Sequence, residues 1–185
     1  VVLGDDVLDW VRQNDAPLLD SADTVRSLDG RLISANAYLG ADALLAALAE
    51  KADVVITGRV ADPSLFLAPL MHHFGWATDD WALLGKGLAV GHLLECAAQV
   101  SGGYLADPGR VDVPDLHSVG FPLAEVDADG GAVITKLPGT GGRVDRLGCT
   151  AQLLYEVEDP AAYLQADVTG DFSQVRFSEL GIDHV

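Results

Sequence analysis

Cysteine is scarce: Cys96 and Cys149 are the only two in 185 residues. Two are too few for a disulfide framework, and both read as reduced thiols. Basic side chains are also scarce, with 11 Lys and Arg against 28 Asp and Glu and a formal net charge of −17. A surface of that sign repels nucleic-acid phosphates and anionic lipid headgroups, which argues against both as partners. It also opposes any phosphate-bearing small molecule, unless a local basic or N–H-rich pocket overrides the general field. The acidic residues are spread along the chain and not massed in a tail, so the plain reading is a solubility charge. Long hydrophobic runs are missing: no stretch is long enough to span a bilayer, and no signal-peptide pattern opens the chain. A soluble, cytoplasmic protein is the expectation. Repeats and low-complexity linkers are lacking too, so residues 1–185 read as one α/β domain. The chain begins at Val1 with "VVLGDDVLDW", already apolar, and is expected to be a piece of a longer protein.

The apolar residues that are present carry clear periods. Leu32 and Ile33 suggest a short strand, followed by the turn "SANAYLG" (residues 34–40). Over residues 41–52, Ala41, Leu44, Leu45 and Leu48 fall on one helical face. Val54, Val55, Ile56 and Thr57 form a β-branched run that predicts a strand buried on both faces, as in a parallel sheet. Asp62-Pro63 then reads as a helix start, with Leu67, Leu70, Met71 and Phe74 inward and Pro69 expected to kink or shorten the helix. Residues 79–100 predict one long helix or two broken ones, stopped by Ser101-Gly102-Gly103. "PLAEV" and "AVITK" around "DADGG" predict a β-hairpin. Residues 149–157 predict a short helix, and residues 165–177 one or two strands. The expected fold is α/β, a largely parallel βαβ sheet flanked by helices with an additional antiparallel hairpin.

Three constellations could carry chemistry. In an open parallel sheet, ligands collect beyond the carboxyl ends of the strands. The turns "NAYLG" and "GRVADP" would share that rim and bring Asn36, Tyr38, Arg59 and Asp62 together. Each residue also has a plain reading: Asp62 as an N-cap, Arg59 in a surface ion pair, Asn36 holding a turn, Tyr38 as packing. In "GHLLECAAQVSGG", His92, Glu95 and Gln99 recur at helical spacing on an otherwise apolar helix. A His and a carboxylate one turn apart can work as a general acid–base pair, or form a satisfied polar cluster that serves packing. In "KLPGTGGRV", Gly139, Thr140, Gly141 and Gly142 could offer backbone N–H groups to an anion, with Lys136 and Arg143 adding charge. A glycine-rich turn is most often only a turn.

Several motifs are excluded. His-x-x-Glu supplies too few ligands for a zinc site, and no second His or Cys cluster completes it, so no metal is expected. "KLPGTGGRV" is neither a Walker A loop nor a dinucleotide fingerprint. "DADGG" would place Pro138 where a calcium loop needs Glu. His72 and His73 suit a helix C-terminus but do not chelate together. No serine or cysteine nucleophile stands out, Cys96 lying in an apolar helix. No cofactor is indicated.

The stretches "SANAYLGA", "ADVVITGRVADPSLFLAPL", "GHLLECAAQVSGGYLADPG", "GFPLAEVDADGGAVITKLPGTGGRV" and "QLLYEVEDPAAYL" together resemble the acyclic terpene utilisation protein A family, from about Ser34 to Asp171. The resemblance implies a setting in the breakdown of citronellol- and geraniol-type compounds, beside acyl-CoA carboxylases and dehydrogenases. It implies a step on a branched acyl-CoA, and assigns no catalytic residues. Family proteins are longer and carry a preceding glycine-rich segment. A sheet edge left open here would be covered by that segment or by a second copy of the chain, so association or homo-oligomerisation is expected.

Two functions follow. In one, the protein is a hydratase or lyase acting on an acyl-CoA. Its catalytic residues would be His92, Glu95 and Asp62, with Asn36, Tyr38, Arg59, Gln99, Lys136, Gly139, Thr140, Gly141, Gly142 and Arg143 binding substrate. In the other, it is a non-catalytic partner or scaffold of acyl-CoA enzymes. Nucleotide binding at the strand ends rests on fold analogy alone.

Overall fold

A computed structural model describes residues 6–19, 21–28 and 30–185. Of the apolar opening "VVLGDDVLDW", residues 1–5 lie outside them. Helices dominate: α1 (Leu8–Asn14), α2 (Asp42–Ala49), α3 (Ser64–Phe74), α4 (Trp81–Leu94) and α5 (Arg146–Leu154). Strands β1 (Pro122–Val126) and β2 (Ala132–Lys136) pair antiparallel, as do the two-residue strands β3 (Tyr163–Leu164) and β4 (Thr169–Gly170). The content is mixed helix and strand.

The hairpin forms where the alternation puts it, in register from Pro122 opposite Lys136 to Val126 opposite Ala132. Its turn closes through Asp127 N–H to Gly131 O at 2.8 Å and Gly130 N–H to Asp127 O at 2.9 Å. Gly130 adopts φ +78° there, a left-handed conformation that side chains resist.

The parallel βαβ sheet does not form among the described residues; both sheets are antiparallel. Residues 54–57 belong to no strand, and Val54 and Ile56 are 76% and 91% exposed where burial on both faces is expected. The one parallel feature nearby is a single rung, Leu39 opposite Val60, held by Leu39 N–H to Arg59 O and Ala61 N–H to Leu39 O. A β-branched run reports a preference for extended backbone. It does not report whether a neighbouring strand exists to complete the ladder. Residues 165–177 likewise yield only β4, and the chain beyond it runs irregularly.

The helices follow the periodicity more closely. α2 ends within its expected span, and α3 runs through Pro69 to the left-handed Gly75. The long stretch ending at Ser101 breaks: α4 stops at Leu94 and a short 3₁₀ turn follows at Ala97–Gln99. α5 begins three residues earlier than expected, because the Asp145 side chain caps Gly148 N–H at 2.7 Å. The glycines of α4 explain its packing. A Cβ on Gly91 would lie 2.4 Å from the Pro63 carbonyl oxygen, and one on Gly87 would meet Leu67 and Trp76. α3 and α4 therefore pack at a distance that only glycine permits. The helix bridges two cores: Leu84 joins Leu44, Val60, Leu67, Met71 and Trp76, while Leu88 and Leu93 join Ile134, Cys149, Leu153 and Phe172. No helix among the described residues is long and apolar enough to cross a membrane.

Candidate functional site

His92 lies in the last turn of α4 and is 0% exposed. Its Nδ1 stands 3.1 Å from Glu95 Oε1 and 3.2 Å from the Tyr163 hydroxyl of β3. The helical period brings Glu95 one turn on from His92; β3 brings Tyr163 from 71 residues away. A carboxylate accepts and does not donate, so the Nδ1 proton is assigned to the Glu95 contact. That leaves the lone pair on Nε2, and Nε2 has no hydrogen-bond partner among the described residues. The ring packs against Tyr163 at 4.9 Å between centroids and stacks on Phe172 at 6.0 Å. The His92 carbonyl is fixed from the other side by Gln152 Nε2 of α5 at 3.0 Å.

Asp62 joins this region. It makes no side-chain cap on α3; its carboxylate accepts the Tyr38 hydroxyl at 2.7 Å. Burial pushes the Tyr38 pKa up, and the hydrogen bond and charge of Asp62 add to it. Tyr163 is raised further, first by burial and then by the charges of Glu95, Asp62 and Glu156 and the nearness of Tyr38. The charges of Glu95 and Asp62 act on both tyrosines, after burial, to raise them. Both phenols are held neutral. The Cys96 thiol, 3.9 Å from Glu95 Oε1, is also held neutral, by burial first.

The other sequence-derived candidates lie elsewhere or make other contacts. Asn36 forms a bridge with Asp6. The Arg59 carbonyl receives Leu39 N–H, and its side chain is at the surface. Gln99 is in the 3₁₀ turn beyond α4, off the helical stripe of His92 and Glu95, and its Nε2 is buried with no partner among the described residues. Lys136 is buried and pairs with Asp183 at 3.1 Å while donating to Thr140 O. Arg143 pairs with Asp145 at 2.6 Å. The N–H groups of Thr140, Gly141, Gly142 and Arg143 donate to Leu137, Ser118, Pro114 and Ser101 carbonyls. Gly139 and Gly142 take the positive φ values of tight turns. The loop spends its charge and most of its N–H groups within the chain.

Sequence reading passed over Tyr163, Gln152 and Asp167. Asp167 accepts Ala41 N–H at 2.7 Å and the Ser64 hydroxyl, so it ties the starts of α2 and α3 to the segment after β3. A Cβ on Gly40 would collide with its carboxylate. No local pattern marks these residues, because each acts across a long loop of chain. Among the described residues, no group of three or more His, Cys, Asp and Glu is placed to hold a metal ion.

A family model described as "Acyclic terpene utilisation family protein AtuA" matches residues 1–185. No curated protein and no solved structure matches the chain.

Proposed function

The chain belongs to the acyclic terpene utilisation family, and we propose that it contributes a proton-transfer step of hydratase or lyase type on a branched acyl thioester formed from such compounds. One observation carries this reading: a fully buried histidine whose Nδ1 is engaged by Glu95 and Tyr163 while Nε2 has no partner among the described residues. A buried ring nitrogen without a partner costs stability, and sites that tolerate this are often functional.

In the hydration direction, Nε2 takes a proton from water as the water oxygen bonds to the β-carbon of an unsaturated thioester. The proton then passes to the α-carbon. The lyase direction is the reverse. Glu95 stabilises the imidazolium formed in between, and the Tyr163 hydroxyl stands beside the same ring nitrogen. The ring is closed from solvent, so a substrate reaches Nε2 only when side chains around it move. The test is a panel of branched, unsaturated acyl thioesters incubated with the full protein, with water addition followed by mass spectrometry. Turnover that disappears in both His92→Ala and Glu95→Ala, each still folded, supports the reading. Turnover that persists in both sinks it.

A second reading, a non-catalytic partner of acyl-CoA carboxylases or dehydrogenases, has one observation in its favour. Residues 54–57, a β-branched run, make no backbone hydrogen bond among the described residues, and they present Val54 and Ile56 to solvent. Such an edge can accept a strand from a partner, a second copy or another segment of the protein.

A further inference from the structure

A cavity of ≈ 750 Å³ runs along the face of α4 that carries Ala89, Val90 and Leu93. Ile134 of β2 and the segment after β4, with Phe172, Val175 and Phe177, form its other walls. Its size falls in the range of about 300–1,000 Å³ that holds small molecules, and its walls are apolar with a few polar groups, as such sites require. The polar groups are specific. Lys86 and Arg176 both stand in the lining, two of only 11 basic side chains in a chain of net charge −17. Lys86 Nζ donates to the Asp129 carbonyl at 2.7 Å and Arg176 to the Val175 carbonyl at 2.9 Å. Neither is ion-paired with a carboxylate among the described residues, unlike Lys136 and Arg143. The one carboxylate side chain in the lining, Asp171, is occupied by Ser173, whose N–H and hydroxyl donate to it at 2.9 and 2.6 Å.

We propose that this cavity binds the aliphatic chain of an anionic amphiphile, with Lys86 and Arg176 meeting its acidic end. Apolar walls favour the chain in proportion to the area they take from water. Two cations unpaired by carboxylates select an anion against the general field of the protein. His92 is not among the lining residues, although its ring stacks on the wall residue Phe172, and the proposal stands whether or not His92 transfers protons.

The probe is decanoate, titrated into the full protein by calorimetry, with octanoate and decanol as comparisons. Decanoate binds saturably. Octanoate, two methylenes shorter, binds about tenfold more weakly, since each buried methylene is worth roughly three- to fourfold. Decanol, without the charge, binds more weakly than decanoate. The double variant Lys86→Gln/Arg176→Gln removes the preference for decanoate over decanol, and Ala89→Trp, which fills the cavity, abolishes binding of both. The double variant changes only exposed side chains, so it decides the matter even where Ala89→Trp does not fold. His92→Gln retains decanoate binding, which separates this outcome from the proton-transfer reading. Absence of saturable binding, equal affinity for decanol and decanoate, or an unchanged preference in the double variant overturns the proposal. So does binding to phosphatidylglycerol vesicles that decanoate fails to displace, which would make the groove a contact for a lipid surface.

Discussion

Gly85 and Gly91 sit on the same helix, and alanine should move stability in opposite directions at the two positions. Nothing lies within 4 Å of a Cβ built on Gly85. Alanine there brings only its helix propensity, a gain of up to about 1 kcal/mol over glycine. At Gly91 the same methyl would lie 2.4 Å from Pro63 O, 2.9 Å from Pro63 Cα and 3.0 Å from Pro63 C. These are backbone atoms at the start of α3, and they cannot swing aside as a flexible side chain can. Relief requires α3 and α4 to part by several tenths of an ångström, which loosens Leu67, Met71 and Leu84 in the shared core. Overpacking of this kind costs about 1–3 kcal/mol, occasionally more. With the propensity gain subtracted from a cost of about 2 kcal/mol, Gly91→Ala should lose roughly 1 kcal/mol, so the two variants should differ by about 2 kcal/mol. For a chain of this size that separates their melting temperatures by about 4–8 °C. Thermal and urea melts followed by circular dichroism measure it. Equal stability of the two variants, or a more stable Gly91→Ala, would refute the packing of α3 against α4 described here.

Three other outcomes follow from the same contacts. Asp167→Ala strips the partner from Ala41 N–H and from the Ser64 hydroxyl, both on fully buried residues; at about 1–3 kcal/mol per orphaned group, urea melts should show a loss of roughly 3 kcal/mol, with Asp167→Asn losing less. Tyr163→Phe keeps the stacking on His92 and Phe172 but removes the hydroxyl at Nδ1, so the melting temperature should change little while turnover falls at least tenfold, and unchanged turnover would remove Tyr163 from the site. Burial pushes the Cys149 thiol from 9.0 up to about 12, so the folded chain keeps a proton that the unfolded chain releases. That contribution is complete below pH 9 and is lost as pH rises toward 12. Stability measured across this window should fall less steeply in Cys149→Ala than in the parent chain.

The parts of the fold that were legible in the sequence are those whose partners are close along the chain. The hairpin at Pro122–Lys136 carries its turn, alternation and register within one short segment. α2, α3 and α4 carry their apolar stripes on themselves. Val54–Val55–Ile56–Thr57 failed for the opposite reason: a parallel strand depends on a neighbour that its own residues do not encode. The glycines of α4 weakened the helix reading by propensity, yet Gly87 and Gly91 are the residues that let α3 approach. At the candidate site, the His92–Glu95 pair was visible because one helical turn joins it. Tyr163 was invisible because a loop of 71 residues does. Asp62 before Pro63 carries the local signal of a helix cap. It turns instead to Tyr38, a contact fixed by the packing of "NAYLG" against "GRVADP" at the Leu39–Val60 rung.

The central claim is that His92 moves protons. Its most direct test is deuterium incorporation at the α-carbon of a branched acyl thioester incubated with the full protein in D₂O, followed by mass spectrometry. Exchange catalysed by the parent chain and reduced by about a hundredfold or more in His92→Gln, which keeps the ring's volume filled, is the result expected of a general acid–base residue. Exchange at the same rate in both proteins would contradict the account and leave His92 as a packing residue of α4.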